Sequence, residues 1–557
     1  MNISHRSTLP ASPTADERDA DEYVGVMTET PEPDITFHDD IEGYCSALSY
    51  RPGETVGFHV STRAERWSIT VERWGAERAP VWSASDLPGT FTPAPDDADR
   101  HGCRWPVTAE LTVGSDWLSG FYLATLTAHG AEPGRAVAHT GFVVRAGDNS
   151  PTPADTLLVL ATNTWNAYNT WGGASLYTGG QQVAFARPWS RGMLYRPSTE
   201  RDDRKARPTR WGEDADVDGD TFQRYRLERG YAASIGSSGW HLYERRFVEW
   251  AEANGYRFDY AVSSDLEHDP DVLNGYTTVV SVGHDEYWSA AQRDVVEAHV
   301  RAGGRFVSFS GNTMFWQVRL ENVAIDGDDT GRQTMVCHKY SAHETDPVVA
   351  DGRPAEMTGM FADPMVGRPE AAFLGGGSAW GLYVRFGRSV ARGSGAFTVY
   401  RHDHWLLEGT GLGYGDLLGA THGCVGYETL GCRIQLDEFH LPVRRGGDHT
   451  PTDMTIVAWT PSSNLGVGEY PKSISALSDQ GDLEFIAQRI HGDLSERSLA
   501  LARYGTAILA EVHPFGPDAG QVVTVGTTDW VFGLPDDPAV ARVTANALRG
   551  PSDTDGL

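Results

Sequence analysis

The sequence predicts an α/β protein in which a doubly wound sheet follows an immunoglobulin-like all-β sandwich. Three observations carry this. Short alternating strands crowd the stretch from about 40 to 147. Buried strands alternate with amphipathic helices from 155 onward. Between the two, Gly147-Asp148-Asn149-Ser150-Pro151-Thr152-Pro153 has linker composition. The expected divisions are an acidic disordered tail over 1–38, the sandwich over 39–147, a linker over 148–154 and an α/β catalytic domain with long insertions over 155–550.

The elements follow in order. Residues 1–38 are rich in Asp, Glu, Pro, Ser and Thr and cannot bury a core. Tyr50-Arg51-Pro52-Gly53-Glu54-Thr55 is a turn ahead of alternating Val56, Phe58 and Val60, and the segments 67–74, 120–126 and 140–145 also read as strands. After the linker, Thr156–Ala161 is a continuous apolar run, hence a buried strand. It breaks into Asn163-Thr164-Trp165-Asn166-Ala167-Tyr168-Asn169-Thr170-Trp171-Gly172-Gly173, read as a functional loop. An amphipathic helix spans 244–254, and strands span 258–262, 277–282 and 305–310. Ser289 N-caps a helix running through Val300. Further strands cover 506–512 and 521–526, and a last helix lies near 538–549. Residues 180–235 read as an insertion, and 325–475 as irregular functional loops or lids.

Composition narrows the function. A formal charge of −30 without a basic stripe excludes a nucleic-acid partner. Lys occurs only at 205, 339 and 472, a usage expected of a GC-rich, actinobacterial-type genome. No 18-residue apolar run predicts a membrane span, and no apolar leader follows Met1, so the expected location is cytoplasmic. Cys45, Cys103, Cys337, Cys424 and Cys432 form no metal or disulfide pattern. A GxSxG elbow, a GxGxxG turn and a P-loop are all missing, which disfavours a serine nucleophile and nucleotide cofactors.

Chemistry is therefore sought at strand ends, which converge on one crevice in a parallel sheet. Taken singly, the candidates have ordinary readings. Glu286 could cap the helix from 289, Tyr168 could be a packed aromatic, Glu428 a surface strand acid, and Asn312 a turn residue. Taken together, Tyr168, Glu286 and Glu428 form a hard, all-oxygen donor set suited to Fe(III), Mg(II) or Mn(II), with a phenolate favouring ferric iron. His338, His343 and Glu344, or His402, Asp403 and His404, compete as ligands, but surface or lid histidines are the simpler reading.

The segments 163–177, Gly283-His284-Asp285-Glu286-Tyr287-Trp288-Ser289, 311–319, Gly426-Tyr427-Glu428 and Gly526-Thr527-Thr528-Asp529-Trp530 together resemble the large (beta) subunit of N,N-dimethylformamidase and the bacterial family sharing its C-terminal domain. The resemblance covers roughly 155–548. It implies a glutamine-amidotransferase-like sheet and a mononuclear Fe(III) site held by Tyr168, Glu286 and Glu428. It also implies hydrolysis of a small or N-substituted, formamide-type amide. His284 and Asn312 would stand beside the metal, with either Lys339 or Arg332 as the basic residue. A separate small subunit and a homo-oligomer are the partners it implies. The 180–235 insertion would alter pocket size or charge. The alternatives are a non-catalytic carbohydrate or cell-wall binding protein on the same fold, and a metal hydrolase of another bond type.

Overall fold

The computed structural model describes residues 40–132, 134–147, 154–197, 230–325, 328–387, 389–470 and 481–551. The expected tail, most of the linker, the middle of the 180–235 insertion and the side chain of Arg332 lie outside these described residues. The protein is mixed α/β.

Alternating hydrophobicity in the first hundred described residues builds two sheets. One is three-stranded, from Ile41–Cys45, Thr55–Thr62 and Ala109–Thr112. The other is five-stranded and includes Arg66–Trp74, Arg78–Pro88, Gly120–Ala128 and Val137–Val144. Val56 and Phe58 from the first meet Trp67, Ile69 and Leu126 from the second in a shared core. Cys45 and Cys103 are buried free thiols. The opposite face of the larger sheet is apolar as well. Phe121 stacks on Trp240 at 4.1 Å, and Arg73 pairs with Glu252 at 2.7 Å, fixing these sheets against the remainder of the chain.

The remainder is organised by an 11-stranded sheet. Its parallel part runs, in spatial order, Asp259–Val262, Thr156–Leu160, Thr278–His284, Arg305–Gly311 and Gln521–Val525. Each central strand is apolar on both faces. Leu158, Val280 and Val307 meet the helices Glu244–Ala253 and Pro538–Arg549, while Leu157, Val279 and Phe306 meet Ala290–Arg301. Ser289 does cap that last helix, through a reciprocal box with Gln292.

Three expectations change. The sheet is mixed, not parallel throughout: Tyr504–Val512, Met454–Ser463, Tyr383–Val384 and Tyr427–Glu428 extend it antiparallel. The 325–475 region accordingly supplies sheet strands as well as loops. Two- and three-residue strands show no period; they exist because distant backbone pairs with them. The segment after Leu160 is a seven-residue helix, Thr162–Tyr168, and not an irregular loop. Its amide side chains fit a wholly buried helix because they find partners: Asn163 Nδ2 donates to Gln292 Oε1 at 3.1 Å and to the Tyr287 carbonyl at 3.2 Å.

Candidate active site

The parallel strands end together at one edge, and their ends carry the candidate residues. Thr278–His284 closes on Gly283 with φ +79°, where a Cβ would stand 2.3 Å from Tyr243 Cβ. Only glycine lets the strand turn there so closely, and the turn buries His284 and Glu286 at the sheet edge. Arg305–Gly311 ends at Asn312, itself at φ +51°. The helix Thr162–Tyr168 presents Tyr168, and Thr164 Oγ1 accepts from the Glu286 amide at 2.9 Å, tying the first strand end to the second. Glu428 arrives from far along the chain, on a two-residue strand paired with Tyr383–Val384.

The structure thus brings Tyr168, His284, Glu286, Asn312 and Glu428 to one point. His284 Nε2 lies 2.6 Å from Glu428 Oε2 and 3.3 Å from Glu286 Oε2, although it makes no directed hydrogen bond. The ring's other nitrogen lies 2.8 Å from the Ser237 carbonyl. Tyr168 donates to Glu286 Oε2 at 3.1 Å, and Asn312 Nδ2 donates to Glu428 Oε2 at 3.3 Å. Ser378 donates to Asn312 Oδ1 at 2.6 Å and so holds the amide in that orientation. Glu286 is not the helix cap, since Ser289 and Gln292 fill that role.

Residues that sequence reasoning passed over complete the site. Tyr177 donates to both oxygens of Glu286, at 2.9 and 2.7 Å, and stacks on Tyr168 with 4.1 Å between ring centroids. Its place nine residues after Tyr168 in the same quoted motif was the available signal. Of the two basic candidates, Lys339 is buried with Nζ 3.2 Å from the Tyr177 ring centroid. The histidine alternatives lie elsewhere: His338 bonds Thr345, and His404 pairs with Glu511 at 2.8 Å.

Electrostatics follow from burial and close charges. Burial would push the His284 imidazole down, but Glu428 and then Glu286 raise it to about 9. Burial, and then Glu428 against the opposing pull of His284, leaves the Glu286 carboxyl raised. Burial followed by Glu286 pushes the Tyr168 hydroxyl well above the usual phenol range. Burial brings the Lys339 ammonium down to about 8 in spite of Glu286.

The segment carrying Lys339 is held by a carboxylate clamp. Lys339 has φ +51°, and its amide donates to the Thr358 carbonyl at 3.0 Å. Thr358 donates through its amide and its hydroxyl to Asp346 Oδ2, at 2.8 and 2.7 Å, and Arg319 pairs with the same oxygen at 2.8 Å. Burial would raise the Asp346 carboxyl; Arg319 and Thr358 hold it down to about 2. Because the folded value lies below the unfolded one, this clamp contributes its full stability above about pH 4 and loses it as the pH falls towards 2. Acid titration monitored by tryptophan fluorescence should show Asp346→Asn removing part of that loss. An unchanged acid profile would discount the clamp.

The donor set suits a hard cation. Two buried carboxylates present oxygens around His284 Nε2, with the Tyr168 phenol bonded to one of them. Among the described residues no group of three His, Cys, Asp or Glu side chains is arranged to hold a metal ion. The cleft over this point has a cavity volume of about 60 Å³ and is walled largely by aromatic rings.

Comparison with known proteins identifies the family. The family described as "N,N-dimethylformamidase beta subunit-like, C-terminal" matches residues 68–543. The N,N-dimethylformamidase beta subunit of Paracoccus aminophilus is 34% identical over 74 residues, 13% of this chain and 10% of that protein. The same subunit from Alcaligenes sp is 31% identical over 74 residues, again 13% and 10%. The aligned stretch thus spans about a tenth of the length of these relatives. Among the described residues no helix is long and apolar enough to cross a membrane.

Proposed function

The chain belongs to the N,N-dimethylformamidase beta subunit-like, C-terminal family, and from that premise we propose that it hydrolyses the C–N bond of a small or N-substituted, formamide-type amide. One observation carries the reading: Glu286 and Glu428, both buried, meet at His284 Nε2 beside the Tyr168 hydroxyl and beneath an open cleft. Tyr168, Glu286 and Glu428 would hold a single ferric ion. Such an ion, when bound, supplies Lewis acidity towards a carbonyl oxygen and a more acidic water.

The chain's own groups move the protons. Glu428 Oε2 is engaged by His284 and Asn312, while among the described residues no hydrogen-bond donor reaches its Oε1. That oxygen is the acceptor for the proton lost by water as the water oxygen bonds to the amide carbon. Asn312 Nδ2 would support the oxyanion through the N–H that Glu428 does not accept. The His284 imidazolium donates to the leaving nitrogen as the C–N bond breaks, and Glu428 returns the proton to His284. The products are one carboxylic acid and one amine. Glu286, fixed by two phenols, adds to the larger effect of Glu428 in favouring the protonated form of His284. Since the relatives are named as beta subunits, a separate small subunit, and a homo-oligomer built on it, form part of the proposal.

A panel of N-alkylformamides incubated with iron-loaded protein, with and without any co-purifying subunit, should release formate and amine in equal amounts. Binding of formamides without release of either product would instead favour the non-catalytic alternative.

A further inference from the structure

Beside the proton-moving residues the cleft is lined by a second group of side chains. Asp482, buried at the start of the helix Asp482–His491, accepts from three phenols. Tyr340 donates to Oδ1 at 2.8 Å; Tyr383 and Tyr470 donate to Oδ2 at 2.6 and 2.5 Å. Their rings line the cleft and continue into a wall: Tyr383 stacks on Phe386 at 5.1 Å, and Phe386 meets Tyr427 at 5.0 Å. Among the described residues no Arg, Lys or His lines the cleft; its charged lining is Glu286, Glu428 and Asp482.

We propose that this wall is a subsite for a methylated ammonium group carried by the substrate, seated against Tyr383, Phe386 and Tyr427 and facing Asp482. The inference rests on the amide-hydrolase reading for what the rest of the substrate is. Three features select the chemistry. Ring faces are electron-rich and attract a desolvated cation. A carboxylate buried among aromatic rings is costly, and an apolar substituent would be served as well by a hydrocarbon side chain at 482; a cation in the cleft offsets that cost. Three hydroxyls take up most of the Asp482 acceptor sites, including both on Oδ2, which favours a Coulombic contact over further hydrogen bonds and so a nitrogen without N–H groups. Anionic substituents on this wall are repelled by Asp482.

The test uses the full chain and three matched probes: N-(2-trimethylammonioethyl)formamide, its uncharged isostere N-(3,3-dimethylbutyl)formamide, and N-(2-carboxyethyl)formamide. Calorimetric binding and product release are measured separately. The trimethylammonio compound should bind about tenfold more tightly than the isostere, the size of a cation–π contact in a desolvated site, and the carboxylate more weakly than both. Asp482→Asn should bring the charged-to-neutral ratio towards one. Wild-type binding of the neutral isostere as tight as that of the cation overturns the inference, whatever the variant does. Preference in binding with no product from any probe overturns the hydrolase reading and leaves the cation subsite standing. Hydrolysis without preference overturns the subsite alone.

Discussion

Glu286→Gln is expected to lower kcat/KM on the amide by about 10²–10⁴-fold, the range associated with losing a group that governs proton transfer. The substitution preserves shape, so its effect is electrical. Glu286 accepts from Tyr168 at 3.1 Å and from Tyr177 at 2.9 and 2.7 Å. A carboxamide replaces one of those acceptor oxygens by an NH2 group, setting donor against donor. It also removes one of the two charges that raise His284 to about 9, so a smaller fraction of the enzyme carries the proton needed by the leaving amine. Iron content should fall in the same variant, because a hard anionic donor has been lost. The test is kcat/KM with metal stoichiometry on the same preparations. Near wild-type turnover with full iron would remove Glu286 from the site as proposed.

Gly311→Ala should be nearly as damaging, through geometry alone. A Cβ at 311 would stand 2.2 Å from the Glu428 carbonyl oxygen and 2.5 Å from the Thr528 amide nitrogen. Both are backbone atoms, so no side-chain rotation relieves the clash, and the strand bearing Glu428 must move. Overpacking of this kind costs about 1–3 kcal/mol of stability. A shift of about 1 Å in a reacting group costs about 10²-fold in rate, and Glu428 sits only 2.6 Å from His284. Gly393→Ala is the control, since a Cβ there meets nothing within 4 Å. Thermal unfolding and kcat/KM should fall together for position 311 and hold for 393. Full activity in Gly311→Ala would show that the Glu428 strand is not needed where it stands.

What the sequence made legible was the set of long, locally specified elements. Val279–Val282 and Phe306–Phe309 are apolar on both faces, so their identity as buried strands and their polar breaks at Gly283 and Gly311 could be read directly. His284, Glu286 and Asn312 come with those breaks. Tyr168 could be named but not placed, because the buried helix carrying it owes its form to Asn163 bonding Gln292 far along the chain. Glu428 was harder still: its strand is two residues long and exists through pairing with Tyr383–Val384. Asp482 and its three tyrosines were not seen at all. They come from four separate segments, and nothing local in any of them signals that they share a carboxylate.

Tyr168, Glu286 and Glu428 are proposed to form one iron site. Elemental analysis and the visible spectrum of the purified full chain, wild type beside Tyr168→Phe, test it most directly. The expected result is about one iron per chain and a broad visible phenolate-to-iron band that disappears in Tyr168→Phe. Iron bound without that band, or a band unchanged in Tyr168→Phe, would contradict it.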